Sequence, residues 1–156
     1  MLFLLFLISA CLGCLDFKAM NFTFYVQSSV YDYAVGPGLP NGGNAVLSEC
    51  TYTGSNYWDK YQALVTTTKN STFTRNFYIP GKSIYGLLKV FIDDYPYVYI
   101  NDLFVSCFKK NRCCITQTCD VTEFLKPGLN VLVIEGVNSV GMACYRYDLK
   151  VSSILI

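Results

Sequence analysis

The sequence predicts an all-β protein, an antiparallel β-sandwich of about eight strands with one or two short helical turns. Thirteen tyrosines and eleven phenylalanines among 156 residues favour strands, where rings pack on a half-buried pleated surface. Short apolar runs separated by turn residues recur from Ala45 onward, as in sandwiches rather than in strand–helix alternation. The stretch TFTRNFYI, Thr72 to Ile79, alternates with period two. Phe73, Arg75, Phe77 and Ile79 share one parity and Thr74, Asn76 and Tyr78 the other, which fits a strand with one mostly apolar face.

Composition excludes several chemistries. The chain has no histidine, so no Ser-His-Asp triad, no Cys-His pair and no His-ligated zinc or haem can form. A formal net charge of +1 argues against a nucleic-acid partner, because phosphate binding needs a surplus of Lys and Arg. Charged residues make up 15% and hydrophobic ones 53%; the surface must therefore carry uncharged polar groups and tyrosine. The length suits one domain with a real core.

The elements follow in order. MLFLLFLISACLGC opens the chain. It is too short for a bilayer, which needs about 20 residues. Cys11 and Gly13 stand at the −3 and −1 places of a cleavage before Cys14, although no Lys or Arg precedes the apolar run. Residues 1–14 are predicted to be a signal peptide, and residues 15–156 a single sandwich domain, secreted, extracellular or on a cell or virion surface. Two sequons, Asn21-Phe22-Thr23 and Asn70-Ser71-Thr72, agree with export and mark Asn21 and Asn70 for glycosylation. No later apolar stretch reaches membrane length.

FTFYVQ from Phe22 is a strand, and VGPGLPNGGN, Val35 to Asn44, a breaker-rich loop. AVLSECTYT is a candidate strand. SNYWDKYQALV places Tyr57, Trp58, Tyr61, Leu64 and Val65 at helical spacing behind an Asn56 cap. After TFTRNFYI, Pro80-Gly81-Lys82 turns the chain into YGLLKVFI. Asp93-Asp94 separates that run from PYVYI. Asn101-Asp102 then makes a tight hairpin into LFVSCF, since both residues tolerate positive φ. DVTEFLKPG holds one helical turn, with Asp120 or Thr122 as cap and Pro127-Gly128 as stop. LNVLVIEGV, Leu129 to Val137, is apolar enough for a central strand. MACYRYDLKVSSILI closes the chain with Cys144, Arg146, Asp148 and Lys150 alternating against Tyr145, Tyr147, Leu149 and Val151. Parity places Tyr99 and Phe91 in the core.

This order of pieces resembles the galactose-binding-like jelly-roll domain, the sugar-binding or accessory module of many glycoside hydrolases. Arg75, Phe77 and Pro80 match its "R-x-F-x-L-P" strand and Asp93-Asp94 its "aDD" turn. Val98-Tyr99-Ile100-Asn101 match "vyvNG", with Asp102 in place of Gly. Asp120-Val121-Thr122, Leu125, Lys126-Pro127-Gly128 and Asn130 match "DvTdlLkpGeNvlavev". The resemblance covers roughly residues 66–151. It implies scaffold roles for these residues and a non-catalytic module; fold alone does not fix the ligand.

Catalysis without histidine would need paired carboxylates. Asp93-Asp94 is the adjacent pair, and the resemblance makes it a turn; Glu49, Glu123 and Glu135 are scattered. No enzyme activity and no cofactor is expected. With the leader removed, Cys50, Cys107, Cys113, Cys114, Cys119 and Cys144 remain, with Cys14 left over only if cleavage precedes it. An even number in an oxidising compartment implies disulfides. Four thiolates could also close a zinc site, but Cys113 and Cys114 are adjacent and no paired C-x-x-C units occur, so no metal is expected. Six cysteines allow fifteen pairings. The preferred one staples Cys107 to Cys119 at the base of CFKKNRCCITQTC and leaves Cys113 and Cys114 for Cys50 and Cys144. In the resembling domains this stretch is a short connection, so the cysteine-rich loop is a departure. Its Lys109, Lys110 and Arg112 could meet an anionic glycan or an acidic partner, or simply be solvated.

Sugars stack on aromatic rings, which selects Tyr57, Trp58, Asp59 and Tyr61, with Tyr95 and Tyr97 flanking Pro96. Two functions remain: a module binding a glycan or extracellular glycoprotein, or a structural subunit of a coat, envelope or filament with no small ligand. Tyrosine-rich surface suits self-association as well as binding. Burial of Trp58 would favour the second.

Overall fold

The computed structural model describes residues 19–48, 54–59, 69–110, 114–139 and 141–155. The leader, Cys14, Cys50, Tyr61, Arg112 and Cys113 lie outside the described residues. Among the described residues there are twelve strands rather than about eight. They are β1 Met20–Gln27, β2 Tyr33–Gly36, β3 Leu39–Asn44, β4 Val46–Leu47, β5 Tyr57–Trp58, β6 Lys69–Ile79, β7 Lys82–Asp93, β8 Tyr95–Ile100, β9 Leu103–Phe104, β10 Gln117–Asp120, β11 Gly128–Asn138 and β12 Cys144–Leu155.

Two six-stranded antiparallel sheets face each other. The first runs β10-β7-β12-β5-β4, with β1 also paired to β12; the second runs β3-β2-β6-β11-β8-β9. The longest strands are central, as the apolar and alternating runs predicted. β12 turns Tyr145, Tyr147, Leu149 and Val151 into the core, and β6 does the same with Phe73, Phe77 and Ile79. β11 lies between β6 and β8. In an antiparallel sheet each alternation buries one face and leaves the other outward.

The turns behave as their residues require. Asn101 (φ 52°) and Asp102 (φ 66°) join β8 to β9 in left-handed conformation, the geometry that matches strand twist in a two-residue hairpin. Asn101 Nδ2 donates to the Phe124 carbonyl (2.9 Å) and to Asn130 Oδ1 (2.8 Å), and Val131 N–H donates to Asn101 Oδ1. Asn130, fully buried, clasps the loop before it: Nδ2 donates to the Lys126 and Gly128 carbonyls, and Oδ1 accepts from Lys126 N–H. The helical turn is a short 3₁₀ segment, Thr122–Phe124. The N-cap position is Val121 rather than Asp120 or Thr122 and carries no side-chain cap bond; the Asp120 carboxylate instead accepts from both the N–H and the hydroxyl of Thr122. Gly128, at φ 85°, releases the chain into β11.

Two further readings are corrected. The breaker-rich stretch Val35 to Asn44 is not a plain loop but most of the β2–β3 hairpin, with Tyr33 opposite Asn44. Its glycines and its two prolines, Pro37 and Pro40, sit near a sheet edge, where such residues are tolerated. The helical spacing around Trp58 is also overruled: Tyr57 and Trp58 form β5, with Tyr57 paired to Tyr145 and Trp58 to Val46. The rest of that segment, residues 60–68, lies outside the described residues. Trp58 is 2% exposed and packs on Phe73, ring centroids 5.2 Å apart. Phe73 in turn stacks on Tyr145 at 3.8 Å. Position 136 must be glycine here, because a Cβ would stand 2.6 Å from Ile92 Cδ1 and 2.7 Å from the Trp58 indole.

The expected Cys107–Cys119 disulfide is present, Cα atoms 6.1 Å apart. In the chain-entropy view it contributes about 3 kcal/mol by closing a short loop. Cys114 and Cys144 are also disulfide-bonded. The Gln117 side chain grips both backbone groups of Lys109 inside the stapled loop.

One buried carboxylate ties the sheets together. Asp32 has no exposed surface. It accepts from the hydroxyls of Tyr145 (2.6 Å) and Tyr147 (3.0 Å) on β12 and from Ser29 N–H (3.0 Å), with Arg75 of β6 at 3.6 Å. Burial pushes its carboxyl above the usual carboxylate range, against these partners. Burial and Asp32 push both phenols up, so they remain protonated donors. Asp32→Ala is expected to destabilise the protein by about 3 kcal/mol, because two buried hydroxyls lose their acceptor. Urea denaturation would measure the loss, and a change below about 1 kcal/mol would contradict the tie.

Candidate functional site

Of the residues expected to bind a ligand, the five described ones, Tyr57, Trp58, Asp59, Tyr95 and Tyr97, do not converge. Trp58 and Asp59 are in the interior. Asp59, 0% exposed, accepts from the Ser71 hydroxyl (2.8 Å) and from Gly38 N–H (3.2 Å). It anchors the β2–β3 turn and is not available to a ligand. Tyr57 is half-buried, edge-on to Tyr145, at the margin of the first sheet. Tyr95 and Tyr97 lie on the outer face of the second sheet, ring centroids 5.8 Å apart. Tyr99 is not core: it joins them on that face and leans on Phe104 at 5.5 Å. Lys109 and Lys110 are exposed. Lys110 reaches over the Tyr97 ring at 4.6 Å, and Tyr97 holds its ammonium above the usual lysine range. Asn21 and Asn70 are both exposed.

The recessed surface is elsewhere, on the outer face of the first sheet. A hollow of about 550 Å³ is lined by residues of β1, β7, β12 and β5 that include Gln27, Tyr57, Lys89, Phe91, Arg146 and Asp148. A smaller one of about 250 Å³, lined by Tyr25, Tyr85, Leu87, Lys89, Asp148 and Lys150, shares Lys89 and Asp148 with it. The two form one groove across three strands. Strand register sets its rows. Arg146 stands opposite Phe91, Gln27 and Lys89 flank Asp148, and Tyr25 and Leu87 flank Lys150. Paired residues in a sheet share a face, so the charged parity of β12 meets aromatic rings from β7 and β1.

Phe91 is buried, as parity suggested, yet it is buried under a charge rather than in the core. The Arg146 guanidinium covers its ring at 4.7 Å. Lys150 stands over Tyr85 at 5.9 Å. Such cation–ring contacts hold long side chains in place. Asp148 Oδ2 accepts from Gln27 Nε2 at 3.4 Å, while Oδ1 accepts no hydrogen bond from any described residue. The groove therefore offers fixed donors and aromatic walls, with Asp148 Oδ1, unpartnered among the described residues, buried beneath its surface. Aromatic walls with a few placed polar groups are what a small ligand site needs.

The Asp93-Asp94 pair makes the β7–β8 turn, as expected. Asp94 N–H donates to the Val137 carbonyl, and its carboxylate accepts from the N–H and the hydroxyl of Ser139. Burial, and then the charge of Asp94, push Asp93 up to about 6.

No family model matches this chain, and no curated protein matches it by sequence. Solved structures do. The chain is similar to the β-glucuronidase from Ruminococcus gnavus in complex with C6-substituted uronic isofagomine: TM-score 0.50, 10% identity, covering 86% of this chain and 29% of that one. A second structure of Ruminococcus gnavus β-glucuronidase gives TM-score 0.50 at 12% identity, again over 86% and 29%. The chain thus spans less than a third of the length of these structures, and at such identity the likeness is one of fold.

Asp93 yields a pH prediction. Its folded value lies above the unfolded one, so its contribution is full below about pH 4 and is lost as pH rises through about 6. Asp93→Asn mimics the protonated form. Its melting temperature relative to the parent is expected to match at pH 4 and to exceed it at pH 7. A difference that is constant with pH would contradict the assignment.

Proposed function

We propose that this chain is a non-catalytic, secreted or surface-exposed module of the galactose-binding-like type, and that it binds a glycan in the outer groove of its first sheet. The observation that carries the reading is the groove itself: a recess of about 550 Å³ in which Tyr57 forms a wall and the Arg146 guanidinium stands 4.7 Å over the Phe91 ring. A sugar presents flat C–H faces and many hydroxyls. The exposed ring surface suits the former, and the donors of Arg146 and Gln27 suit the latter. The likeness in fold to part of two β-glucuronidase structures supports a carbohydrate-related module. The resemblance of its motifs to the galactose-binding-like accessory module, together with the commitment of Asp93-Asp94 to a turn, supports a non-catalytic role. Burial of Trp58 counts toward the structural reading, as the sequence criterion set it; the glycan reading rests on the groove instead.

The outer face of the second sheet favours a second reading, a structural or interaction subunit. Tyr33, Tyr78, Phe104 and Leu129 are all at least half exposed there, Tyr78 at 67% and Leu129 at 60%. Large exposed apolar patches mark interaction surfaces.

A glycan array with the secreted domain tests the first reading. The parent is expected to bind, and Arg146→Ala and Tyr57→Ala to bind at least tenfold more weakly while melting within a few degrees of it. Absence of glycan binding by the parent, combined with self-association that Tyr78→Lys and Leu129→Lys abolish, would transfer the function to the second sheet.

A further inference from the structure

We infer that the glycan taken by this groove is anionic, carrying carboxylate or sulfate groups; the inference rests on the glycan-binding reading above. It starts from how charge is distributed. Over the whole chain twelve basic residues nearly balance eleven acidic ones. The side chains lining the two joined hollows do not balance: Lys89, Arg146 and Lys150 face a single carboxylate, Asp148.

These cations are uncommitted. Among the described residues the one ion pair is Arg75 with Asp32, in the interior. Asp148, the nearest carboxylate by register, is hydrogen-bonded to Gln27 and pairs with none of the three. Arg146 and Lys150 are held over Phe91 and Tyr85. Both are therefore positioned without being neutralised. A cation on a ring keeps its full charge and most of its donors for a third partner.

Their placement follows the strand. Arg146 and Lys150 are four residues apart on one face of β12, about 14 Å at the rise of an extended chain. Lys89 sits beside Asp148, midway between them. The positive groups thus run along the groove, with Tyr25 and Tyr57 toward its two ends. An oligosaccharide lying along β12 with acidic groups on successive sugars would meet a cation at each step. An uncharged sugar would leave three cations desolvated and unpaired, which costs free energy. A local charge of about +2 in a recess also speeds the arrival of anions.

The test compares three probes on the intact domain: an uncharged oligosaccharide, an oligo-uronate and a sulfated oligosaccharide, each by calorimetry between about 50 and 200 mM salt. Either anionic probe is expected to bind at least tenfold more tightly than the uncharged one. Its affinity is expected to fall with salt and to drop at least tenfold in Lys89→Gln/Lys150→Gln. The stronger of the two identifies the acid group. If the double variant does not fold, the salt dependence of the parent decides. Equal or tighter binding of the uncharged probe, without salt dependence, would overturn the anionic inference and leave the groove as a sugar site. No binding by any probe would overturn both.

Discussion

The buried carboxylate of Asp32 ties the two sheets together. Asp32 lies in the connection from β1 to β2, at the end of a β-turn in which its N–H donates to the Ser29 carbonyl and its carboxylate accepts from Ser29 N–H. From there it accepts the hydroxyls of Tyr145 and Tyr147 on β12 and lies beside Arg75 on β6. A carboxylate without exposed surface survives only when its lone pairs are used, and here three donors use them. The consequence reaches the other side of the sheet. With Tyr145 and Tyr147 pinned inward, pleating fixes Arg146 and Asp148 outward. The strand that closes the core is thereby the strand that carries the groove's charges.

The rest of the interior is aromatic and closely fitted around that tie. Phe73 stacks on Tyr145, Trp58 leans on Phe73, and Gly136 makes room for the indole. At the opposite end of the sandwich Asn101 and Asn130 do with amides what Asp32 does with a carboxylate. They fasten the β8–β9 hairpin to the loop before β11. The Cys107–Cys119 staple then holds the inserted loop, and Lys110 folds back from it onto Tyr97. That places the Lys110 charge over the second sheet.

Much of the fold was legible in the sequence because it rests on local patterns. Period-two alternation gave β6 and β12, apolar continuity gave β11, and Asn101-Asp102 marked its hairpin. The site was less legible for a physical reason. Its residues come from β1, β7 and β12, distant in sequence, and only the register between those strands brings them together. The outward parity of Arg146, Asp148 and Lys150 could be read from one strand; the rings opposite them could not. Trp58 misled because a lone tryptophan beside polar residues looks the same whether it caps the core or faces solvent. Asp32 carried no signal at all, since one aspartate between tyrosines is ordinary until their hydroxyls are seen to converge on it. The β2–β3 hairpin was hidden by glycine and proline, which break central strands yet are accepted near a sheet edge.

The central claim is that the working surface is the outer face of β7 and β12. Backbone amide NMR shifts recorded while an acidic oligosaccharide is titrated into the domain test it most directly. The account predicts shifts concentrated at Lys89, Phe91, Arg146, Asp148 and Lys150, with Tyr95, Tyr97 and Tyr99 unmoved. Shifts centred on those three tyrosines, or a spectrum that does not respond, would contradict it.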